Sequence, residues 1–398
     1  MRPRQVVCFE GEVTNGVVTL GVERLFQTEQ DLLAGQSVGL VTNYTMTDST
    51  LTPVIDLFLS STTCLLTKLY GPEHGVRNAA KEGELVASTI DAHSALPAYS
   101  LYGEAKKPTA EMLHGIDALF IDLQDLGTRY YTNISTVALC MEACAEVALP
   151  CIVLDRPNPI GARREGYVIE ERYHSFVGMH AIPNRHGLTI GEVARLYNRC
   201  CETPCDLTVV PLSGWTRSML QSETGLPFIA PSPNASSLDM ALLYTGTCLF
   251  EGTNVSVARG TTRPFEMIGA PWINGHALAT QFNAHKLSGV RARPVYFSPH
   301  VSLYAGELCE GVQLHVDDAS VFHSLQAGIT LLQEIAIGYA AHFRFLMGSG
   351  TRPFFDLLAG DDRLRGAIQD ETALQFLDKE SVEHERFGRD IADILLYD

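Results

Sequence analysis

The chain has 398 residues, 46% of them hydrophobic and 19% charged, with a formal net charge of −17. That length can bury a large core and favours two domains. The acidic balance makes nucleic acid and anionic membrane poor partners, because phosphates need a basic face.

No apolar run approaches the roughly 18 residues of a bilayer span. The opening stretch MRPRQVVCFEGEVTN has no apolar core long enough for a signal peptide, so the expected location is the cytoplasm. Ten cysteines without a C-x-x-C pair do not read as a disulfide framework. Cys200, Cys201 and Cys205 cluster without well-placed histidines, so no metal site is expected there. All ten are expected to be free thiols, mostly buried.

In chain order, apolar runs at 37–43 (SVGLVTN), 63–70 (TCLLTKLY), 117–124 (DALFIDLQ) and 150–157 (PCIVLDRP) are near-continuous, as in strands covered on both faces. Helical patterns separate them, at 52–61 and at 134–148, where Val137, Met141, Cys144 and Val147 share a face. A fifth strand is expected at 205–212. The order predicts an α/β fold, a mostly parallel sheet with helices on both faces.

The Pro- and Ser-rich stretch 222–237 has no periodicity and reads as a domain junction or a long functional loop. The predicted division is 1–225 for the first domain and 226–398 for a smaller α+β domain closing over a cleft. In the second domain, strands are expected at 242–250, 293–299 and 310–316. A long helix is expected at about 319–343, followed by an amphipathic helical tail from Asp361.

Each of the first four strands runs at once into polar residues. The first leads to Thr42 and Asn43, and the second to Pro72, Glu73, His74 and Arg77. The third leads to Asp122, Gln124, Asp125, Arg129, Tyr130 and Tyr131, and the fourth to Asp155, Arg156, Pro157 and Asn158. In an open parallel sheet all carboxyl ends lie on one edge, and ligands bind there near the switch in strand order. These four turns should therefore meet around one site.

Several chemistries lack their motif. There is no G-x-G-x-x-G after the first strand, no Walker A loop, no G-x-S-x-G elbow and no H-E-x-x-H helix. No cofactor is expected. What remains is carboxylates among arginines and aromatics, which suits glycosidic cleavage: one acid protonates the leaving oxygen and a second carboxylate often assists. Glu73, fixed after Pro72, is the candidate acid; its competing role is a salt bridge to Arg77.

The second carboxylate is open between Glu192, Glu251, Asp122 and Asp125. Thr189-x-x-Glu192 ahead of an apolar helix also reads as a capping box. Arg77, Arg129, Arg156 and Arg259 could grip an anionic group, or each could be spent in an ion pair. Tyr130 and Tyr131 could stack on a sugar, with at least one of the two in the core. His180 and His186 are hydrogen-bond candidates or satisfied structural residues. Asn254 begins an N-x-S sequon, discounted without an export signal. Two rival readings are a saccharide-binding protein without activity and a metal-dependent hydrolase using Asp122, Asp125 and His74.

The ordered motifs GLVTN, GPEHGVR, LFIDLQDLGTRYYTNIST, VLDRPNPIG, FVGMHAIPNRHGLTIGE and LFEGTNVSVARGTTRPFE closely resemble the exo-β-N-acetylmuramidases of glycoside hydrolase family 171, formerly a domain of unknown function. The resemblance runs from about residue 20 to the C-terminus. It implies a Rossmann-like first domain without a dinucleotide, a smaller second domain and a cleft between them. The implied activity is release of N-acetylmuramic acid from the non-reducing end of peptidoglycan-derived saccharides.

The family's proposed catalytic glutamate falls on Glu73, and a second implicated glutamate falls on Glu192. The lactyl carboxylate of muramic acid gives the arginines an anion to bind. Asn43, His74, Gln124, Asn158, His186, Glu251 and Asn254 complete the substrate-binding set. Asn78, Val76 and Tyr44-Thr45-Met46 depart from the family's usual residues and are expected to alter the pocket.

Overall fold

In the computed structural model, which describes residues 17–79, 88–103, 105–348 and 350–398, the apolar runs of the first half become one seven-stranded sheet. Its strands are β1 (Ser37–Val41), β2 (Leu65–Gly71), β3 (Thr89–Ile90), β4 (Pro97–Ser100), β5 (Ala118–Ile121), β6 (Cys151–Leu154) and β7 (Leu207–Val210). The order is β3-β4-β2-β1-β5-β6-β7, parallel except where β3 meets β4. The short strands β3 and β4 have too little apolar length to stand out in the sequence.

Both faces are covered, which explains the unbroken apolar runs. On β5 and β6, Leu119, Ile121, Cys151 and Val153 face the helices Asn133–Glu146 and Ile190–Cys200. Ala118, Phe120, Ile152 and Leu154 face Gly21–Gln27 and Val54–Leu59 on the other side. From β1 the chain steps through β2 to β4 in one direction, then resumes at β5 on the other flank of β1. The strand order thus reverses beside β1, where a crevice opens in sheets of this kind.

The second part of the chain builds a three-stranded antiparallel sheet, β8 (Met267–Ala270), β10 (Cys309–Val316) and β9 (Val290–Phe297) in spatial order. The strand expected at 242–250 is instead the helix Leu238–Thr247, running into a 3-10 turn at Cys248–Gly252. Ser237 caps it, its hydroxyl accepting from the Met240 amide at 3.0 Å. Every residue from Met240 to Thr247 is buried. A helix apolar on all sides has no 3.6-residue signal and reads like a buried strand.

Its partner is the helix Ser324–Gly338, shorter than the stretch expected there. The two cross where Gly246 and Gly328 touch: a Cβ on Gly246 would lie 2.1 Å from the Ser324 carbonyl oxygen. No other residue permits that approach.

The predicted division at 225/226 does not sort every segment. Leu126, Tyr130, Tyr131 and Ile160 pack into the core of the second part. The helix Glu380–Asp390 and the tail after it return to the first sheet, where Phe387, Ile391 and Ile394 join its core. Tyr397 fixes the return, its hydroxyl donating to Asp155 at 2.5 Å and accepting from the Leu212 amide at 2.8 Å.

No disulfide joins the described cysteines; Cys140, Cys144, Cys151, Cys205, Cys248 and Cys309 are buried, Cys64 and Cys201 partly so, and Cys200 is exposed. Cys8 lies outside the described residues. Among the described residues no helix is long and apolar enough to cross a membrane.

Candidate active site

After β2 the chain turns back on itself. Gly71 allows this, since a Cβ there would sit 2.4 Å from the Val76 amide nitrogen. Gly75 (φ 72°) and Asn78 (φ 54°) both take the left-handed conformation. Asparagine is among the few non-glycine residues that adopt it readily. The turn at Asn78 therefore needs no glycine. Glu73 is left half-buried at the turn's tip, facing a cleft of about 450 Å³. That volume is within the usual range for a small-molecule site, about 300–1,000 Å³.

The cleft draws on both parts of the chain. From the first come Glu73, His74, Tyr102, Lys106, Tyr130, Tyr131, Thr132, Asn133 and the strip Ser175–Val177. From the second come Ser232, Asn234, Tyr244, Glu251, Arg259, Phe265 and Phe354. Thr132 stands at the start of Asn133–Glu146 but does not cap it. Its hydroxyl donates to Glu73 Oε2 at 2.8 Å instead. The other Glu73 oxygen has no partner among the described residues.

Among the described residues, Glu251 is the cleft's second carboxylate. Its Oε1 receives Arg259 Nε at 2.7 Å and lies 2.6 Å from Nη2, while the guanidinium stacks on Phe265 with its carbon 4.8 Å from the ring centre. Tyr244 meets Tyr130, Tyr131 and Phe265 edge to face, forming an aromatic wall. Tyr130 is anchored by its hydroxyl on the Thr245 carbonyl. Burial holds the Tyr131 phenol well above its ordinary pKa, and a hydrogen bond with Ser232 partly offsets this.

The structure therefore brings together Glu73, His74, Tyr130, Glu251 and Arg259 from the expected set. The rest lie elsewhere. Asp122 and Arg156 form a buried ion pair, Nη2 to Oδ2 at 3.2 Å, and Arg156 also donates to the Thr47 carbonyl at 2.9 Å. Asp125 accepts from the Gly127 amide at 2.7 Å and from His186 Nε2 at 3.0 Å. His186 Nδ1 accepts from the Leu188 amide, which puts its proton on Nε2. Gln124 donates to the carbonyls of Asp125 and Pro157. Asn158 bridges Leu188 and Ile160, and Asn43 folds its own turn by accepting from Thr45. These side chains hold the sheet edge together, with Asp125 Oδ1 left buried without a hydrogen-bond partner among the described residues.

Arg129 also leaves the substrate set. Fully buried, it donates to the carbonyls of Tyr167, Ile182, Leu358 and Ala359, tying the loop after β5 to the second part of the chain. Burial pushes its pKa down to about 10. Arg77 points outward, 3.5 Å from Asp91, so Glu73 is not its partner. Asn254 bridges to the segment at 342–344. His180 is buried against the Ile134 carbonyl, and burial pushes its pKa down to about 4.

Glu192 is not in the cleft. It is wholly buried at the N-terminus of Ile190–Cys200, where Thr189 and Glu192 complete the capping box. Its Oε1 pairs with Arg217 at 2.7 Å and accepts from the Leu396 amide at 2.9 Å. The metal-hydrolase trio does not assemble either: among the described residues, no three His, Cys, Asp or Glu side chains are grouped as metal ligands. The departures Tyr44, Thr45, Met46, Val76 and Asn78 all lie outside the cleft lining.

Sequence reasoning missed Tyr102, Lys106, Thr132, Phe176, Tyr244 and Phe265. Thr132 follows directly on the TRYY motif, and Ser232 and Asn234 lie in the loop singled out at 222–237. Phe176 opens the motif FVGMHAIPNRHGLTIGE, but nothing in the sequence pairs it with Lys106, which lies in no motif. A larger groove of about 1110 Å³ lies on the far side of the strip 174–181. It holds neither Glu73 nor Glu251, so the smaller cleft is the candidate site.

Models of the two parts of one family match almost the whole chain: "Exo-beta-N-acetylmuramidase NamZ, N-terminal" over residues 38–239, and its C-terminal counterpart over 242–397. The chain belongs to the NamZ exo-β-N-acetylmuramidase family. A relative from Bacillus subtilis (strain 168), peptidoglycan β-N-acetylmuramidase NamZ, is 43% identical over 359 residues, 90% of this chain and 86% of that protein. Two solved structures of DUF1343 family proteins from Bacteroides fragilis share the fold. One has a TM-score of 0.87 at 35% identity, covering 97% of this chain and 100% of that one. The other has 0.77 at 30% identity, covering 96% and 99%. The NamZ models meet at 239–242, close to where the Pro- and Ser-rich loop enters the buried helix Leu238–Thr247.

Proposed function

We propose that Glu73 is the general acid of this exo-β-N-acetylmuramidase, which releases N-acetylmuramic acid from the non-reducing end of peptidoglycan-derived saccharides. The observation that carries the assignment is the Thr132–Glu73 hydrogen bond at the wall of a cleft that also holds Glu251. Donation from Thr132 occupies Oε2 as an acceptor. The acid proton then belongs on Oε1, the oxygen left for the glycosidic oxygen of the substrate.

Proton transfer from Oε1 lets the leaving saccharide depart as an alcohol while positive charge builds at the sugar's anomeric carbon. Glu251 is the carboxylate within the same cleft that opposes this charge, and Arg259 fixes its orientation. The walls of Tyr130, Tyr131 and Tyr244 offer aromatic surface to the pyranose ring.

The test is Glu73→Gln assayed on a chromogenic β-N-acetylmuramide. Gln keeps the shape and cannot deliver a proton, so kcat should fall by about 10²–10⁴, the usual worth of a general acid. The thermal midpoint should be nearly unchanged. Turnover at the wild-type rate would remove Glu73 from the role.

A further inference from the structure

Among the described residues, a lysine and an arginine line the cleft, and Arg259 is already paired with Glu251. Lys106 is held differently. Its ammonium lies 4.1 Å from the centre of the Phe176 ring and 5.5 Å from that of Tyr102. These rings are themselves in contact, 6.0 Å between centroids. Lys106 makes no ion pair among the described residues, whereas its neighbour Lys107 is bound to Glu146 at 2.6 Å. Two aromatic faces thus hold a cation at the cleft wall, with no carboxylate paired to it among the described residues.

We propose that Lys106, clamped by Tyr102 and Phe176, is the specificity-determining residue that binds the lactyl carboxylate of the muramic acid ring. The inference rests on the muramidase reading of the same cleft. The arginines expected for this task do not supply it: Arg77 faces outward, Arg129 and Arg156 are consumed in buried contacts, and Arg259 serves Glu251. An ammonium is a compact charge with rotatable donors, suited to a carboxylate on a flexible ether arm. N-acetylglucosamine lacks that arm, so one contact separates the two sugars.

The experiment compares wild type, Lys106→Met and Lys106→Arg in two arms. In the first, kcat/KM is measured on chromogenic β-N-acetylmuramide and β-N-acetylglucosaminide at low and high salt. Lys106→Met should lose roughly ten- to a hundredfold on the muramide, the worth of one hydrogen bond to a charged group. The loss should fall mainly in KM, with the glucosaminide rate unchanged and the salt dependence flattened. Lys106→Arg should restore most of the muramide rate.

The second arm needs no turnover. Calorimetry measures binding of free N-acetylmuramic acid and N-acetylglucosamine to the same three proteins. Equal affinity of wild type and Lys106→Met for N-acetylmuramic acid would overturn the role of Lys106, whatever the rates. Loss of muramic acid binding in Lys106→Met, beside a wild type that binds but does not turn over, would support Lys106 and overturn the catalytic reading instead.

Discussion

The carboxyl edge of the seven-stranded sheet and the cleft beside it are built from the same residue types. At the edge, every acid has met its partner: Asp122 has Arg156, Asp125 has His186, and Glu192 has Arg217. In the cleft, among the described residues, Glu73 has a single hydroxyl donor and Lys106 only aromatic faces. The edge is closed and holds the fold; the cleft is open and retains unspent hydrogen-bonding and charge. Polar residues after a strand therefore do two jobs, and the partner, rather than the residue type, says which.

This contrast can be broken by substitution. The largest effect is expected at Asp122→Asn, which leaves the Arg156 guanidinium buried without its counter-charge. Removing one member of a buried pair costs about 3–5 kcal/mol, read as a shift in the urea midpoint. The folded fraction should keep its kcat/KM. A stable Asp122→Asn enzyme without turnover would place the edge, not the cleft, at the chemistry.

Glu192→Gln sharpens the same divide at smaller amplitude. Loss of the charge toward Arg217 and weakening of the cap should cost about 1–2 kcal/mol, with activity retained. Lost turnover at unchanged stability would return Glu192 to the catalytic set.

The smallest effect concerns pH. Burial alone would lower the His323 pKa, but the Glu380 hydrogen bond and the charges of Glu165 and Glu380 outweigh it and raise it above its ordinary 6.5. A raised histidine favours the folded state while protonated. Its contribution is complete below the unfolded value and is lost as pH rises through the folded one. The urea midpoint should therefore decline as pH rises from just below neutral into the mildly alkaline range. His323→Gln should flatten that decline; an unchanged slope would assign it to another group.

Much of this was readable in advance, for identifiable reasons. The runs at 37–43, 63–70, 117–124 and 150–157 became parallel strands because both sheet faces are covered. The Thr189–Glu192 capping box was legible because it is local, three residues apart. The helix Leu238–Thr247 was misread because total burial erases its period. Lys106 and Phe176 were not legible, because 70 positions and several elements separate them along the chain.

Composition and pattern by themselves determined an α/β chain with a parallel sheet, polar turns after its strands and no dinucleotide or nucleophile-elbow motif. Those are consequences of local propensity and burial, which the order of residues encodes directly. Only the tertiary structure decided which charged groups cancel and which remain open to a substrate. Ion pairing depends on distances between segments far apart in the chain, and folding alone brings Arg156 to Asp122 and Arg217 to Glu192.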